Sequence, residues 1–287
     1  METNKIYQGD CLELMKQIDD KSIDMILCDL PYGTSACAWD STIDLKKLWE
    51  QYKRIIKDNG AIVLFSQQPF TSILICSNLE MYKYNWVWEK DNGTNFLNSH
   101  YQPLKITEDI CVFGKASCSP TKTLHLKYNP QFEQGKAYTC ISGKQKQDSA
   151  VVSGNVKDVD NHLTVSDGKR YPKNLIKFIR DKDKLHPTQK PVALCEYLVK
   201  TYSQEQDIIL DNTCGSGTIP LACKKNNRKF IGIELNPVFV ELSNKRLREM
   251  EVSLNVFNKL EVKSGCDAND DGIPPNNKLL GILPNEL

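Results

Sequence analysis

Residues 207–222 read DIILDNTCGSGTIPLA. An apolar run ends in an acid, Asp211, and a turn of small residues containing Gly215 and Gly217 leads into a helical pattern. A strand-to-helix turn of this kind lets the backbone approach a ligand, and the helix N-terminus offers it unpaired N–H groups. The next strand, KFIGIE, ends in Glu234, 19 residues after Gly215, where a carboxylate can take both hydroxyls of a ribose. Any tight strand–helix turn can use one Gly-x-Gly. Joined to a strand-terminal acid, it points to an adenosine-containing cofactor, and it fits a nicotinamide dinucleotide as well as S-adenosylmethionine.

A second strand end separates these two. Residues 27–35, LCDLPYGTS, follow the apolar run IDMILC and present Asp29, Pro31 and Tyr32 together. A surface turn accounts for the proline and the glycine, but not for the acid or the tyrosine. Hydride transfer has no use for this set. Methylation of an exocyclic amino group does, because that nitrogen's lone pair is delocalised into the ring and attacks poorly. A carboxylate and a fixed backbone carbonyl can accept its two N–H bonds and free the lone pair. The ring must first leave the duplex, and a tyrosine face can hold it.

Outward from these two stretches the chain alternates. KIYQ and SIDMILC read as strands with CLELMKQI at helical spacing between them. DLKKLWEQYKRIIKD has apolar residues at 45, 48, 49, 52, 55 and 56, a helix expected to stop at Asn59-Gly60. AIVLFS, YKYNWVWEK and EDICVFG read as strands, and PFTSILICSNL as a helix opened by Pro69. From about Lys115 to Lys184 the sequence is polar and broken by Gly and Pro, as in an inserted subdomain or long functional loops. Alternation then resumes with a helix over Pro191–Tyr202, the strand DIILD, a helix from Gly217, the strand KFIGIE and a helix after Pro237. Such alternation predicts an α/β fold with a largely parallel sheet. The expected divisions are 1–114 and 185–251 as two halves of one domain, 115–184 as the insertion, and 252–287 as a loose tail. DANDDG in that tail imitates the start of a calcium loop, but Lys278 stands where the closing Glu belongs, so no metal is expected.

Composition narrows the setting. With 25% charged and 40% hydrophobic residues the chain is an ordinary globular one. No apolar run approaches the roughly 20 residues of a membrane span, and the N-terminus lacks a signal-peptide layout, so no membrane partner and a cytoplasmic location are expected. Eleven cysteines are an odd number, irregularly spaced and without a CxxC, which favours reduced thiols over disulfides or zinc. The net charge of +1 hides an asymmetry: Lys115–Lys190 carries 15 basic against 7 acidic residues, and the rest of the chain is correspondingly acidic. Segregation of this kind fits a polyanion docking on the insertion, with a solvated basic face as the plainer reading. Lys144, Lys146, Lys169 and Arg170 are the candidate contacts.

These motifs together resemble an amino-group DNA methyltransferase of the beta arrangement, in which the catalytic half precedes the cofactor half, over nearly the whole of residues 4–250. DLPY is similar to that family's Asp-Pro-Pro-Tyr motif, and QGDCLELM to its Gly-Asp element. NWVWEK and TEDICVF match two strand segments, HPTQKP (186–191) a signature of the group, and DNTCGSG and FIGIELNP the methionine- and ribose-binding motifs. The resemblance implies a Rossmann-like S-adenosylmethionine-dependent methyltransferase fold, with a twisted sheet, helices on both faces and an inserted target-recognition region. It implies site-specific methyl transfer to the N6 amino group of an adenine flipped from double-stranded DNA, with Asp29, Leu30, Pro31 and Tyr32 as the catalytic set. The cofactor would lie along Asp10, Asp211, Gly215, Gly217, Thr218 and Glu234. Its carboxylate would lie near His186, Thr188 and Lys190. A homodimer and a restriction endonuclease of the same system are the other partners that relatives bring to mind.

Two positions depart from the pattern. Leu30 replaces the first proline, leaving its carbonyl available with a less stiff backbone, and Asn212 stands where an aromatic residue or proline is usual. Asp at the first motif position is typical of adenine-N6 enzymes, whereas cytosine-N4 enzymes usually carry Ser. A glutamine methyltransferase acting on a protein would have Asn first and the opposite motif order. A DNA-binding module without activity would have lost Asp29 or Tyr32. Simpler roles exist for single residues: Asp10 and Asp211 as helix caps, His186 as a loop histidine, Phe96 as a loop anchor instead of a wall for the flipped base.

Overall fold

The computed structural model describes residues 1–33, 42–142, 162–181 and 189–264. Strands β1 (Lys5–Gln8), β2 (Ile23–Asp29), β3 (Ile56–Ser66), β11 (Ile208–Asp211) and β12 (Lys229–Glu234) are parallel and lie in the order β1-β12-β11-β2-β3. β4 (Tyr82–Thr94), β5 (Lys105–Phe113) and β10 (Leu175–Lys177) extend this sheet as β3-β5-β4-β10. β5 is antiparallel to both its neighbours, and β10 is parallel to β4. The strand–helix alternation breaks at β4 and β5 for a simple reason. Only a 3-10 turn (Phe96–Asn98) lies in the short connection between them, which leaves no room for a crossover helix, so the chain folds back.

Helices α1 (Cys11–Leu14), α2 (Leu45–Ile55), α3 (Phe70–Ser77), α4 (Val192–Tyr202), α5 (Thr218–Lys225) and α6 (Pro237–Ser264) complete the fold. From β2 the chain passes through α2 to β3 in one direction along the sheet; from β11 it passes through α5 to β12 in the other. Right-handed crossovers running in opposite directions place their helices on opposite faces. The packing agrees: α1, α2 and α3 touch in succession, while α4 packs on α5. Where the directions diverge, a crevice opens at the carboxyl ends of β2 and β11, the usual ligand position in such sheets.

Local sequence explains most element boundaries. Asp44 caps α2 by accepting from Lys46 N at 3.0 Å and Lys47 N at 3.2 Å, and Leu48, Trp49, Tyr52 and Ile55 form its buried stripe. The expected stop at Asn59-Gly60 is too late. The helix ends at Ile55, because Ile56 is extended and pairs with Ile23, while Ala61 pairs with Met25. Residues 57–60 are therefore a bulge, fixed by the 2.8 Å ion pair of Lys57 with buried Asp24.

The insertion is more regular than its sequence suggests. β6 (Glu133–Gln134) pairs with β9 (Lys169–Arg170), β7 (Tyr138–Ser142) pairs with β8 (His162–Ser166), and β10 joins the main sheet. Strands of two to five residues carry too little alternation to read from sequence. Its root is tied to the amino edge of the sheet: Lys127 bridges Asp207 at 2.6 Å and Asp24 at 3.3 Å, and Asn129 N donates to Thr201 O at 2.7 Å.

Two units are distinguished, Met1–Leu247 with the whole sheet, and Arg248–Leu287. The segment expected to be a loose tail begins as helix, since α6 extends to Ser264; the DANDDG stretch lies outside the described residues. Among the described residues no helix is long and apolar enough to cross a membrane.

Tyr52 links α2 to the turn after β11: its hydroxyl donates to Asn212 Oδ1 at 2.5 Å, and both residues are buried. Tyr52→Phe should destabilise the protein by about 1–3 kcal/mol, the cost of a lost buried hydrogen bond. Urea unfolding checks this; an unchanged midpoint would remove Asn212 from the list of side chains that hold the two halves together.

Candidate active site

The carboxyl ends of β2, β11 and β12 open into a cleft of about 1030 Å³, lined among others by Asp10, Asp29, Tyr32, Lys190, Asp211 and Glu234. Sequence reasoning found all six of these from local patterns. The structure brings them together from both halves of the chain.

On the cofactor-half side the turn after β11 is held open by its surroundings. Gly215 (φ +49°) and Gly217 (φ +76°) both take left-handed backbone, but for different reasons. A Cβ on Gly217 would meet Ser243 Cβ at 2.8 Å, whereas a Cβ on Gly215 would have nothing within 4 Å. Ser243 Oγ donates to Gly215 O at 2.7 Å and Arg246 Nη1 to Ser216 O at 2.6 Å, so the start of α6 braces the turn. Glu234 fixes it from the other side, accepting from Gly215 N and from Asn236 N at 2.8 Å each. Thr218 is the first residue of α5, and Gly217 is its cap.

Asp211 and Asp10 part company. Asp10 caps α1, with Oδ1 accepting from Leu12 N at 2.8 Å and Glu13 N at 3.2 Å, so its simpler role is real. Asp211 caps nothing: it accepts from Thr213 N at 3.4 Å and the Cys28 thiol at 3.6 Å, both long. Burial pushes its carboxyl well above the usual range, and Asp29 and Glu234 nearby add to the rise. Beside it, Asn212 Nδ2 is buried without a hydrogen-bond partner.

On the other side of the cleft, Asp29 stands at the end of β2. Tyr32 Oη donates to Asp29 Oδ1 at 2.8 Å, and Lys190 Nζ lies 2.9 Å from Oδ2. Lys190 also lies 3.0 Å from Glu108 Oε2, and Lys90 Nζ lies 2.6 Å from Glu108 Oε1. The result is an alternating line, Tyr32–Asp29–Lys190–Glu108–Lys90, with two charges of each sign. Burial raises the Asp29 carboxyl above its ordinary range despite Lys190. Glu108 suffers the same desolvation, yet its two lysines bring it below the ordinary range. Burial drives the Tyr32 phenol far up, aided by Asp29. The Tyr32 ring stacks on Phe70 with centroids 5.3 Å apart at 24°. Leu30 is buried at the cleft wall, and Pro31 lines it.

Lys190 is thus engaged with two carboxylates, contacts that its motif did not announce, while it also lines the cleft. His186 and Thr188 of the same motif lie outside the described residues, as do Lys144 and Lys146 of the insertion. Lys169 is exposed, its ammonium 3.9 Å from the centre of the Phe132 ring. Arg170 is bound internally, donating to Ser166 Oγ at 2.7 Å and Lys136 O at 2.8 Å, which makes it a brace of the insertion before it is a contact. Phe96 is 65% exposed and walls nothing in the described structure. Glu108 and Lys90 were missed. A signal existed for Lys90: it falls on the parity of Trp86 and Trp88, both buried, so it belongs to an inward face where a cation needs a carboxylate.

A parallel sheet with its cleft at the switch point, a Gly turn followed by a strand-terminal acid, and Asp-Leu-Pro-Tyr across the cleft define a nucleotide-dependent group-transfer class. Residues 23–245 match a family model described as a DNA methylase, of the N6/N4 type, and the chain belongs to this family. Among its relatives is the Type II methyltransferase M.HinfI of Haemophilus influenzae, 28% identical over 292 residues, which span 91% of this chain and 72% of the relative. The DNA adenine methyltransferase YhdJ of Escherichia coli (strain K12) is 27% identical over 266 residues, spanning 86% and 83% respectively. Among solved structures, the M1.HpyAVI–SAM complex aligns with a TM-score of 0.54 at 25% identity, over 84% of this chain and 98% of that one. The protein is a DNA methyltransferase that uses S-adenosylmethionine.

Proposed function

We propose that the protein methylates the N6 amino group of an adenine flipped out of double-stranded DNA. The observation that carries this reading is Asp29 at the cleft, a carboxylate with Tyr32 beside it on the same turn. Asp in place of Ser at the first motif position favours adenine over cytosine, and the named activity of YhdJ agrees.

The residues present fit the cofactor. S-adenosylmethionine supplies a methyl group on a sulfonium when bound. Asp211 is a buried carboxyl held only by weak donors, so a cationic ligand beside it would offset its desolvation. Glu234 uses one lone pair of each oxygen on backbone N–H groups, and each oxygen can accept again, from a ribose. Gly215 leaves space for close approach.

For the target, Asp29 and the Leu30 carbonyl accept the two N–H bonds of the amino group, so its lone pair is free to attack. Tyr32, stacked on Phe70, is the ring against which the base would be held. The amino group becomes acidic only after methyl attack, and its proton then leaves to Asp29 or to water. Docking of the duplex falls to the basic insertion, with Lys169 as its described candidate.

Three outcomes test this reading. Asp29→Ala should abolish single-turnover methyl transfer on duplex DNA while sparing cofactor and DNA affinity, because the lost interaction matters most in the transition state. Wild-type rates in this variant would sink the reading, and N4-methylcytosine in the digested product would move the target to cytosine. Glu234→Ala should weaken S-adenosylmethionine binding by about 1–3 kcal/mol in calorimetry. Neutralising Lys169 should lower the logarithmic salt slope of DNA binding by about one, the signature of one phosphate contact; an unaltered slope takes this lysine out of the interface.

A further inference from the structure

The line Asp29–Lys190–Glu108–Lys90 has a property that neither the motifs nor the family match assigns. One cation is shared by two carboxylates, and only one of these has a second cation. Lys190 Nζ stands 2.9 Å from Asp29 and 3.0 Å from Glu108, while Lys90 adds a 2.6 Å contact to Glu108 alone. The side chains of Lys190 and Glu108 are 8% and 13% exposed, and that of Asp29 is 25% exposed. The Lys190 ammonium also sits 5.2 Å from the centre of the Phe65 ring and 5.7 Å from that of Tyr32, so aromatic walls replace water around it. In such a setting these charges act on one another more strongly than in bulk water.

We propose that Lys190 is a positioning residue that keeps Asp29 ionised and its Oδ2 oriented, and that Glu108 limits how strongly it does so. The inference rests on Asp29 as the acceptor of the target amino group, as read above. A protonated Asp29 would present an O–H donor to a group that needs an acceptor. The reaction therefore requires the carboxylate, and desolvation opposes it. Lys190 counters desolvation; Glu108 draws on the same ammonium and repels Asp29 directly. The other titratable groups facing Asp29 and Lys190 among the described residues are Tyr32, Asp211 on β11 and Cys195 on α4. The variants below leave these unchanged.

Two changes that each remove one charge then act in opposite directions. With Lys190→Gln, Asp29 faces Glu108 without a cation while Glu108 keeps Lys90, so Asp29 binds a proton more readily. The acid limb of the single-turnover pH profile should move up by about 1–3 pH units, and turnover should be regained as pH rises. With Glu108→Gln, the ammonium belongs to Asp29 alone and the limb should move down. A merely structural role would lower rates in both variants at every pH. The direct readout is the Asp29 carboxyl resonance of full-length protein labelled with carbon-13 aspartate, assigned through Asp29→Asn and titrated without DNA. Opposite displacements in the two variants support the proposal; shifts that are absent or share one sign overturn it. Should Lys190→Gln fail to fold, Glu108→Gln decides alone, with a downward shift in support and any other result against. If the wild type methylates no amino group, the proposed function fails, while the carboxyl titration still judges the coupling.

Discussion

The hydrogen bond from Thr213 Oγ1 to the backbone oxygen of Asp29, 3.0 Å long and spanning 184 residues of sequence, joins the two loops on which the cleft depends. It is possible only because β2 and β11 are neighbours at the point where the crossovers diverge. Around it the Cys28 thiol lies 2.9 Å from Thr213 Oγ1 and 3.2 Å from Asn212 Oδ1, and Tyr52 closes the set from α2. The ends of β2 and β11 are therefore joined by one buried polar cluster, and a displacement of either strand end is felt at both. Methyl transfer needs that rigidity, since donor and acceptor must meet in line at a short distance.

Electrostatics follow from the same burial. A carboxylate at a strand end in water needs no partner. In this cleft Asp29, Glu108, Asp211 and Glu234 crowd together, and each is handled differently: by a shared lysine, by two lysines, by a backbone N–H and a thiol, and by two backbone N–H groups. Four similar side chains thus have four different electrostatic environments.

How legible was this in the sequence? The strand-terminal acids and the Gly turn were, because their signals are local: an apolar run, then a carboxylate, then small residues. α2 was legible as a stripe, but not its end, since Ile55 and Ile56 satisfy helix and strand equally and the choice is made by pairing with Ile23. The ion-pair line was not, because Lys90, Glu108 and Lys190 lie far apart in sequence and meet only through the β4–β5 hairpin and the approach to α4. The engagement of Lys190 with two carboxylates was hidden for the same reason. Its motif suggested a cofactor contact, and no local pattern could announce two acids waiting for it.

The two glycines of the turn answer to different constraints. Gly217 is fitted against Ser243, so the folded chain itself requires it, ligand or no ligand. Gly215 has nothing within 4 Å of where a Cβ would stand, so only its left-handed backbone (φ +49°) favours glycine there. In a lineage that gave up cofactor binding yet kept its fold, Gly217 and Ser243 would persist together while position 215 drifted, toward Asn first, the residue that best tolerates left-handed backbone. One glycine thus answers to the packing of the fold, and its neighbour two places away only to its own backbone angle.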